Sequence, residues 1–114
     1  MSDCIFCKII SGDIPSAKVY EDEYIYVFKD INPQTPQHIL ITPKQHIKCA
    51  NDINADNSQV VAHIFTKMSD IADALGIKES GYRVINNCGH DGGQTVDHLH
   101  FHILGGKDLG EKLI

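Results

Sequence analysis

The chain predicts an α+β fold: a sheet of about five antiparallel strands with one long and one short helix. Three observations support this. Between Asn57 and Leu75 the apolar residues Val60, Ile64, Met68, Ile71 and Leu75 recur at three- and four-residue steps, the period of an amphipathic helix. Short stretches on either side of it alternate apolar and polar residues or are rich in β-branched and aromatic ones, as strands are. The connections are short, which favours antiparallel neighbours over parallel crossovers.

Each element follows from local signals. "DCIFCKIISG" predicts a short helix with Asp3 as its N-cap and Gly12 just past its end. "KVYED" and "YIYVFKD" predict two strands joined by a tight turn near Asp22. "INPQTPQ" carries two prolines and predicts a loop. "HILITP" predicts a strand that Pro43 terminates. Gly76 stops the long helix. "YRVINN" predicts another strand, and "CGHDGGQT" a glycine-rich loop. "HLHFHIL" alternates with period two and predicts the last strand. At 114 residues, one domain spanning 1–114 is expected.

Composition excludes several function classes. The hydrophobic fraction of 42% and charged fraction of 22% are ordinary for a globular protein. A net charge of -5 argues against nucleic acid as a partner held by bulk charge. No apolar run reaches the length of a membrane span, so no membrane partner is expected. "MSDCIFCKII" is too short and too charged for a signal peptide. A cytoplasmic location is expected, where Cys4, Cys7, Cys49 and Cys88 do not read as a disulfide framework.

The chemistry concentrates in "DHLHFHILGG". On a strand, His98, His100 and His102 share one face, while Leu99, Phe101 and Ile103 share the other and pack under a helix. His98 and His102 then have Cα atoms ~13 Å apart. Two of the three histidines can share a tetrahedral metal; three cannot. The alternatives are a polar strand face without chemistry, or a division of labour. A histidine with its other ring nitrogen pinned is a nucleophile at neutral pH. It needs donors for the oxygens of whatever it attacks. Just upstream, "NCGHDGGQT" offers Gly89, Gly92 and Gly93, whose N–H groups can approach a phosphate, with the Thr95 hydroxyl and the Asn87 amide beside them.

"HLHFHIL" matches the signature His-φ-His-φ-His-φ-φ, with φ apolar. Together with "IFCKIISGDIPS", "FKDINPQTPQHILITPKQH", "GYRVINN" and "DGGQTVDHLHFHILGG", it makes nearly the whole chain resemble the histidine-triad (HIT) family. The resemblance is to the Hint branch of purine nucleoside phosphoramidases, in its zinc-containing bacterial form. It implies a HIT-like fold and a hydrolase that cleaves nucleoside 5′-phosphoramidates or related nucleoside monophosphate conjugates through a nucleotidyl-histidine. By this likeness His100 attacks phosphorus, and His102 contacts the phosphate oxygens. Asn87, Gly93 and Thr95 match the phosphate-contacting positions, with Thr95 near the leaving group. His38 supports the triad. Asp30 matches the carboxylate that holds the ribose hydroxyls, a task suited to a bidentate acceptor. Ile5, Phe6, Ile9, Phe28 and Ile31 match the apolar slot for the base, although Ile9 and Phe28 read equally well as plain core. The purine nucleotide is the implied partner, and a homodimer is expected from the family alone.

Cys4 and Cys7 have C-x-x-C spacing, which reads as a redox pair or as half a zinc site. The redox reading wants a βαβ context that the first helix does not supply. Half a zinc site needs two more ligands, and His46 and His98 offer the natural closure as a Cys2His2 set. That set resembles the arrangement in zinc-containing bacterial HIT proteins and in the related uridylyltransferases. Four filled positions make such a zinc structural. Cys49 and Cys88 read as ordinary thiols. His63, mid-helix, reads as a surface or satisfied residue, and His90 receives no role.

Two features bear on the branch. The tail "KDLGEKLI" lacks the aromatic residue that some Hint-branch members carry there. Gly105 stands where the dinucleoside polyphosphate hydrolases of the Fhit branch usually have glutamine. The alternatives are that hydrolase activity, or a module that binds nucleotide without turning it over. Repair of adenylated DNA ends normally comes with an added domain and a basic surface, which this chain lacks.

Overall fold

The computed structural model describes residues 3–114. Its elements are α1 (Ile5–Ser11), β1 (Lys18–Glu21), β2 (Ile25–Lys29), β3 (Gln37–Pro43), a 3-10 turn at Ala50–Asp52, α2 (Ser58–Ala74), β4 (Tyr82–Ile85) and β5 (Phe101–Gly105). The strands form one antiparallel sheet in the order β1-β2-β3-β5-β4. The expected α+β sheet with one long and one short helix is what the chain forms. Among the described residues, no helix is long and apolar enough to cross a membrane.

Period-two alternation gives the sheet two distinct faces. Val27, Ile41 and Phe101 stand in register in one row. They pack with Ile39, Leu99 and Ile103 against Ile64, Met68, Ile71 and Ala72 of α2. Fully burying such a side chain contributes roughly 1.5–3 kcal/mol, so this layer dominates the core. Phe28, Leu40 and His102 stand in register on the opposite face. There the cluster of Tyr26, Phe28 and Leu40 is closed by Phe6 and Ile9 of α1. Ile9 and Phe28 are thus buried in a core, while Ile5 and Ile31 stay exposed, at 46% and 91%.

The tight turn at Asp22 forms as expected. Its carboxylate accepts the Tyr24 and Ile25 N–H groups at 2.8 and 3.0 Å, and His63 of α2 reaches the same carboxylate at 2.7 Å. His63 is therefore a satisfied partner that straps the β1–β2 turn to the helix.

Two boundaries differ from expectation. The N-cap of α1 is Cys4, not Asp3: the Cys4 sulfur accepts the Cys7 N–H at 3.3 Å. Gly12 does end this helix, in the left-handed conformation. The last strand begins at Phe101, so His98 and His100 lie before it. The ladders explain why. Ile41–Phe101 and Ile85–His102 are the first pairs, and upstream of them side-chain bonds replace the ladder: Asn86 donates to the His100 carbonyl at 2.9 Å, and His98 to the Pro43 carbonyl at 2.8 Å. Leu99 instead donates its N–H to the Ile47 carbonyl at 2.6 Å. Freed from the ladder, the chain turns His98 toward α1.

Candidate active site and metal cluster

The three histidines lie on the α1 side of the sheet. The Phe6 ring meets His98 and His100 edge-on, at centroid distances of 5.9 and 5.0 Å. His100 and His102 follow at 5.2 Å. Each imidazole is pinned at one nitrogen by a different partner, and that partner decides its tautomer.

His100 Nδ1 lies 2.7 Å from the His98 carbonyl, an acceptor only, so Nδ1 carries the proton. Its Nε2 is left with a free lone pair. Burial pushes the His100 pKa below the ordinary imidazole value, against the opposing effects of the His98 carbonyl and Asp30. The ring is therefore neutral and nucleophilic at neutral pH.

His102 is set by a longer relay. The Gln34 N–H donates to His38 Nδ1 at 3.0 Å, which leaves the proton of His38 on Nε2. That Nε2 faces His102 Nδ1 at 2.9 Å and donates to it. His102 Nδ1 is thus an acceptor, and its proton sits on Nε2 as a donor to a ligand oxygen. Burial first, then the neighbouring His100 and His38, lower the His102 pKa to about 4. Asp30 touches the same relay, with an oxygen 3.4 Å from His38 Nε2. Its other oxygen accepts the Asn32 N–H at 2.8 Å. A carboxylate oxygen accepts two hydrogen bonds, so both keep capacity for hydroxyl donors.

The glycine-rich loop over residues 86–95 closes on itself. Gly93 donates to the His90 carbonyl at 3.0 Å, and Gly89 to Gln94 Oε1 at 2.9 Å. Two of the three N–H groups expected to face a phosphate are therefore engaged within the loop. Asn87 donates one amide hydrogen to the Gly92 carbonyl at 2.7 Å and keeps the second. Gly93 adopts φ +81°, a conformation that favours glycine. A Cβ on Gly92 would land on the Cys88 carbonyl oxygen. A cavity of about 440 Å³ opens next to the loop, with Ile5, His46, Thr95, Val96 and Asp97 in its wall.

Sequence reading missed Gln94. Its amide donates to the Lys48 and Val96 carbonyls at 2.8 and 2.9 Å while its oxygen holds Gly89. One side chain therefore ties the loop to itself and to the segment after β3. No local signal marks this role, because the partner that ties the loop outward, Lys48, lies in a distant part of the chain.

Cys4, Cys7, His46 and His98 bring one ligand atom each to within 4.8 Å of one another. The sulfur-to-nitrogen distances are 3.4 Å for Cys4–His98, 3.4 Å for Cys7–His46 and 3.6 Å for Cys7–His98. A tetrahedral zinc with thiolate and imidazole ligands requires such edges to be about 3.5 Å. His98 Nε2 lies 2.8 Å from the Pro43 carbonyl, so it carries the proton and Nδ1 is free to ligate. Burial, then the adjoining Cys4, raise the Cys7 pKa, so this thiol resists ionising until a cation compensates it. The four residues could thus hold a metal ion.

Cys49 is not the isolated thiol that its spacing suggests. Its sulfur lies 3.3 Å from Asp52 Oδ2, and Cys88 stands beside it.

Known proteins share this fold and much of this sequence. The family model described as "Scavenger mRNA decapping enzyme C-term binding" matches residues 3–112. The chain is 46% identical to the purine nucleoside phosphoramidase of Escherichia coli, over 97% of this chain and 93% of that protein. Among solved structures, a HIT family hydrolase from Clostridium thermocellum superposes with a TM-score of 0.98 at 49% identity, covering 100% of this chain and 99% of that one. A histidine triad protein from Clostridium difficile gives 0.94 at 51% identity, covering 98% and 97%. Matched over nearly its full length in sequence and in fold, the chain belongs to the histidine-triad (HIT) family.

Proposed function

We propose that this protein is a purine nucleoside phosphoramidase that cleaves nucleoside 5′-phosphoramidates or related nucleoside monophosphate conjugates through a nucleotidyl-histidine. The observation that carries the proposal is the 2.7 Å bond between His100 Nδ1 and the His98 carbonyl. It leaves Nε2 unprotonated and holds the imidazolium that forms on attack. The 46% identity to the Escherichia coli phosphoramidase supports the same substrate class.

In this mechanism His100 Nε2 attacks phosphorus, and the bond from phosphorus to the leaving amine breaks. His102 donates its Nε2–H to a phosphate oxygen, with Asn87, Thr95 and, once its N–H is released from the His90 carbonyl, Gly93 alongside, Thr95 on the leaving-group side. The leaving nitrogen takes up one proton as the bond breaks, and the water of the second step gives one back, so the two steps balance. Water then attacks the nucleotidyl-histidine, which releases the nucleoside monophosphate and restores His100. His38 holds His102 in its donor tautomer. Asp30 accepts the ribose hydroxyls. Phe6, Ile9 and Phe28 form the floor under the base, and the exposed Ile5 and Ile31 flank it.

The metal assigned to Cys4, Cys7, His46 and His98 is zinc, and its role is structural. Four protein ligands leave no open position for activating water. Bound there, zinc would cross-link the start of α1, the segment after β3 and the first histidine of the triad. A homodimer in the cytoplasm completes the proposal. The four cysteines are free thiols, as a reducing compartment requires. β4 ends the sheet as a half-buried edge strand that a second copy can cover. Light scattering should return about twice the 12.7 kDa chain mass, and a monomer would refute the dimer.

The enzyme is tested by mass spectrometry after mixing with a purine nucleoside phosphoramidate. A nucleotidyl adduct on His100 is expected, and His100→Ala should lose turnover by about 10³-fold or more. No adduct, with turnover unchanged in His100→Ala, would refute it. Running dinucleoside polyphosphates in parallel separates the two hydrolase branches.

A further inference from the structure

Gln94 brings together two parts of the chain that lie far apart in sequence. Its single amide group bonds both the Lys48 carbonyl, at 2.8 Å, and the Gly89 N–H, at 2.9 Å. One amide can reach both only if residues 48 and 89 are neighbours. The adjoining residues are Cys49 and Cys88, so they are neighbours as well, and Cys88 lies close enough to Cys49 to raise its pKa. Cys49 caps the 3-10 turn at Ala50–Asp52, and Cys88 lies in the glycine-rich loop between Asn87 and Gly89. Both are half-buried and free, within reach of a small reagent. Neither belongs to the metal cluster, whose ligands are Cys4, Cys7, His46 and His98.

We propose that Cys49 and Cys88 form an oxidisable dithiol that closes into a disulfide and locks the glycine-rich loop to the segment after β3. The oxidant is a low-molecular-weight disulfide. One protein thiolate attacks a sulfur of the small disulfide, forming a mixed disulfide and releasing one small thiol. The second protein thiolate attacks the protein sulfur of that mixed disulfide and releases the other small thiol. The protein loses two electrons and two protons, and the small disulfide is reduced to two thiols. Cys49 does not react readily at neutral pH. The Asn51 N–H favours its thiolate, but burial, Asp52 and Cys88 outweigh that and raise its pKa. Cross-linking therefore accelerates as the pH rises.

The cross-link stands independently of the proposed activity. Its effect on turnover rests on that reading, because Asn87 and Gly93, on either side of Cys88, are assigned to the phosphate. With residues 48 and 89 already bridged by Gln94, the disulfide removes the loop's remaining freedom, so the oxidised enzyme should turn over more slowly.

The full chain is incubated under native conditions with oxidised glutathione, the free thiols are alkylated, and the peptides are mapped. A peptide pair joined through Cys49 and Cys88, lighter by two hydrogens and within one chain, is expected. It should disappear with dithiothreitol, form faster at higher pH and leave the metal content unchanged. Cys49→Ser should carry only a mixed disulfide on Cys88, and Cys88→Ser only one on Cys49. Turnover should fall on oxidation, recover on reduction, and stay insensitive in either variant. Separate mixed disulfides on Cys49 and Cys88 with no joined pair would overturn the proposal. So would a link between chains, or oxidation confined to Cys4 and Cys7 with release of metal. If the joined pair forms and no phosphoramidate turnover exists in either redox state, the dithiol stands and the proposed activity fails.

Discussion

His100 and His102 are the same residue type two positions apart, yet they are held in opposite tautomers. The His98 carbonyl fixes the proton of His100 on Nδ1, while the Gln34–His38 relay fixes that of His102 on Nε2. One ring therefore presents a free lone pair and the other a proton. Both rings must also stay neutral, and burial ensures it. The pH dependence follows. An unfolded imidazole binds its proton near ~6.5, but His102 does so only at about 4. Keeping His102 neutral makes its full contribution to stability above pH ~6.5, and that contribution is lost as the pH falls toward about 4. The same shift displaces the acid limb of activity. A profile of kcat/KM should stay level down through the ordinary histidine range and decline only below it. A half-maximal point at or above ~6.5 would contradict this assignment.

At the scale of elements, the glycine-rich loop is the part that local pattern describes least well. Glycines at 89, 92 and 93 announce a loop and its tight approaches, and a Cβ at Gly92 would indeed meet the Cys88 carbonyl. What holds the loop shut is Gln94, through three bonds to Gly89, Lys48 and Val96. Losing these bonds, each contributing about 1 kcal/mol, should both loosen the loop and destabilise the protein. Gln94→Ala should lower kcat/KM about tenfold and Tm by roughly 10 °C. Gln94→Glu should recover only part of the activity, because a carboxylate accepts from Gly89 but cannot donate to the two carbonyls. Full activity in Gln94→Ala would remove Gln94 as a positioning residue. The last strand shows the same limit of local pattern. "HLHFHIL" alternates throughout, yet only residues from Phe101 onward join the ladder. The strand pairs run out upstream of Phe101, and the geometry of β3 and β4 decides that.

For the molecule as a whole, the four-residue cluster brings together residues from distant parts of the chain. Cys4 and Cys7 sit at the start of α1, His46 after β3, and His98 before β5. Metal bound there joins three distant parts of the chain and fixes the carbonyl that orients His100. Stripping it with a chelator should lower Tm by roughly 10 °C or more. Metal analysis of the native protein should find about one zinc per chain, lost in Cys7→Ser. An unchanged Tm after verified metal removal would rule out the structural role.

Much of this was legible before folding was considered. The 3.6-residue repeat from Val60 to Leu75 marks α2, and the alternation of Ile39, Ile41, Phe101 and Ile103 marks the face beneath it. The histidine spacing and the C-x-x-C pair mark the two chemical centres. These are consequences of backbone periodicity, which a short stretch of chain carries within itself. The proton positions on His98, His100 and His102, the convergence of Cys4 and Cys7 with His46 and His98, the strut at Gln94 and the meeting of Cys49 with Cys88 are of another kind. Each depends on a hydrogen-bond partner or a neighbour supplied by a different element, so only the packed sheet, with α1 closing its histidine face, decides them.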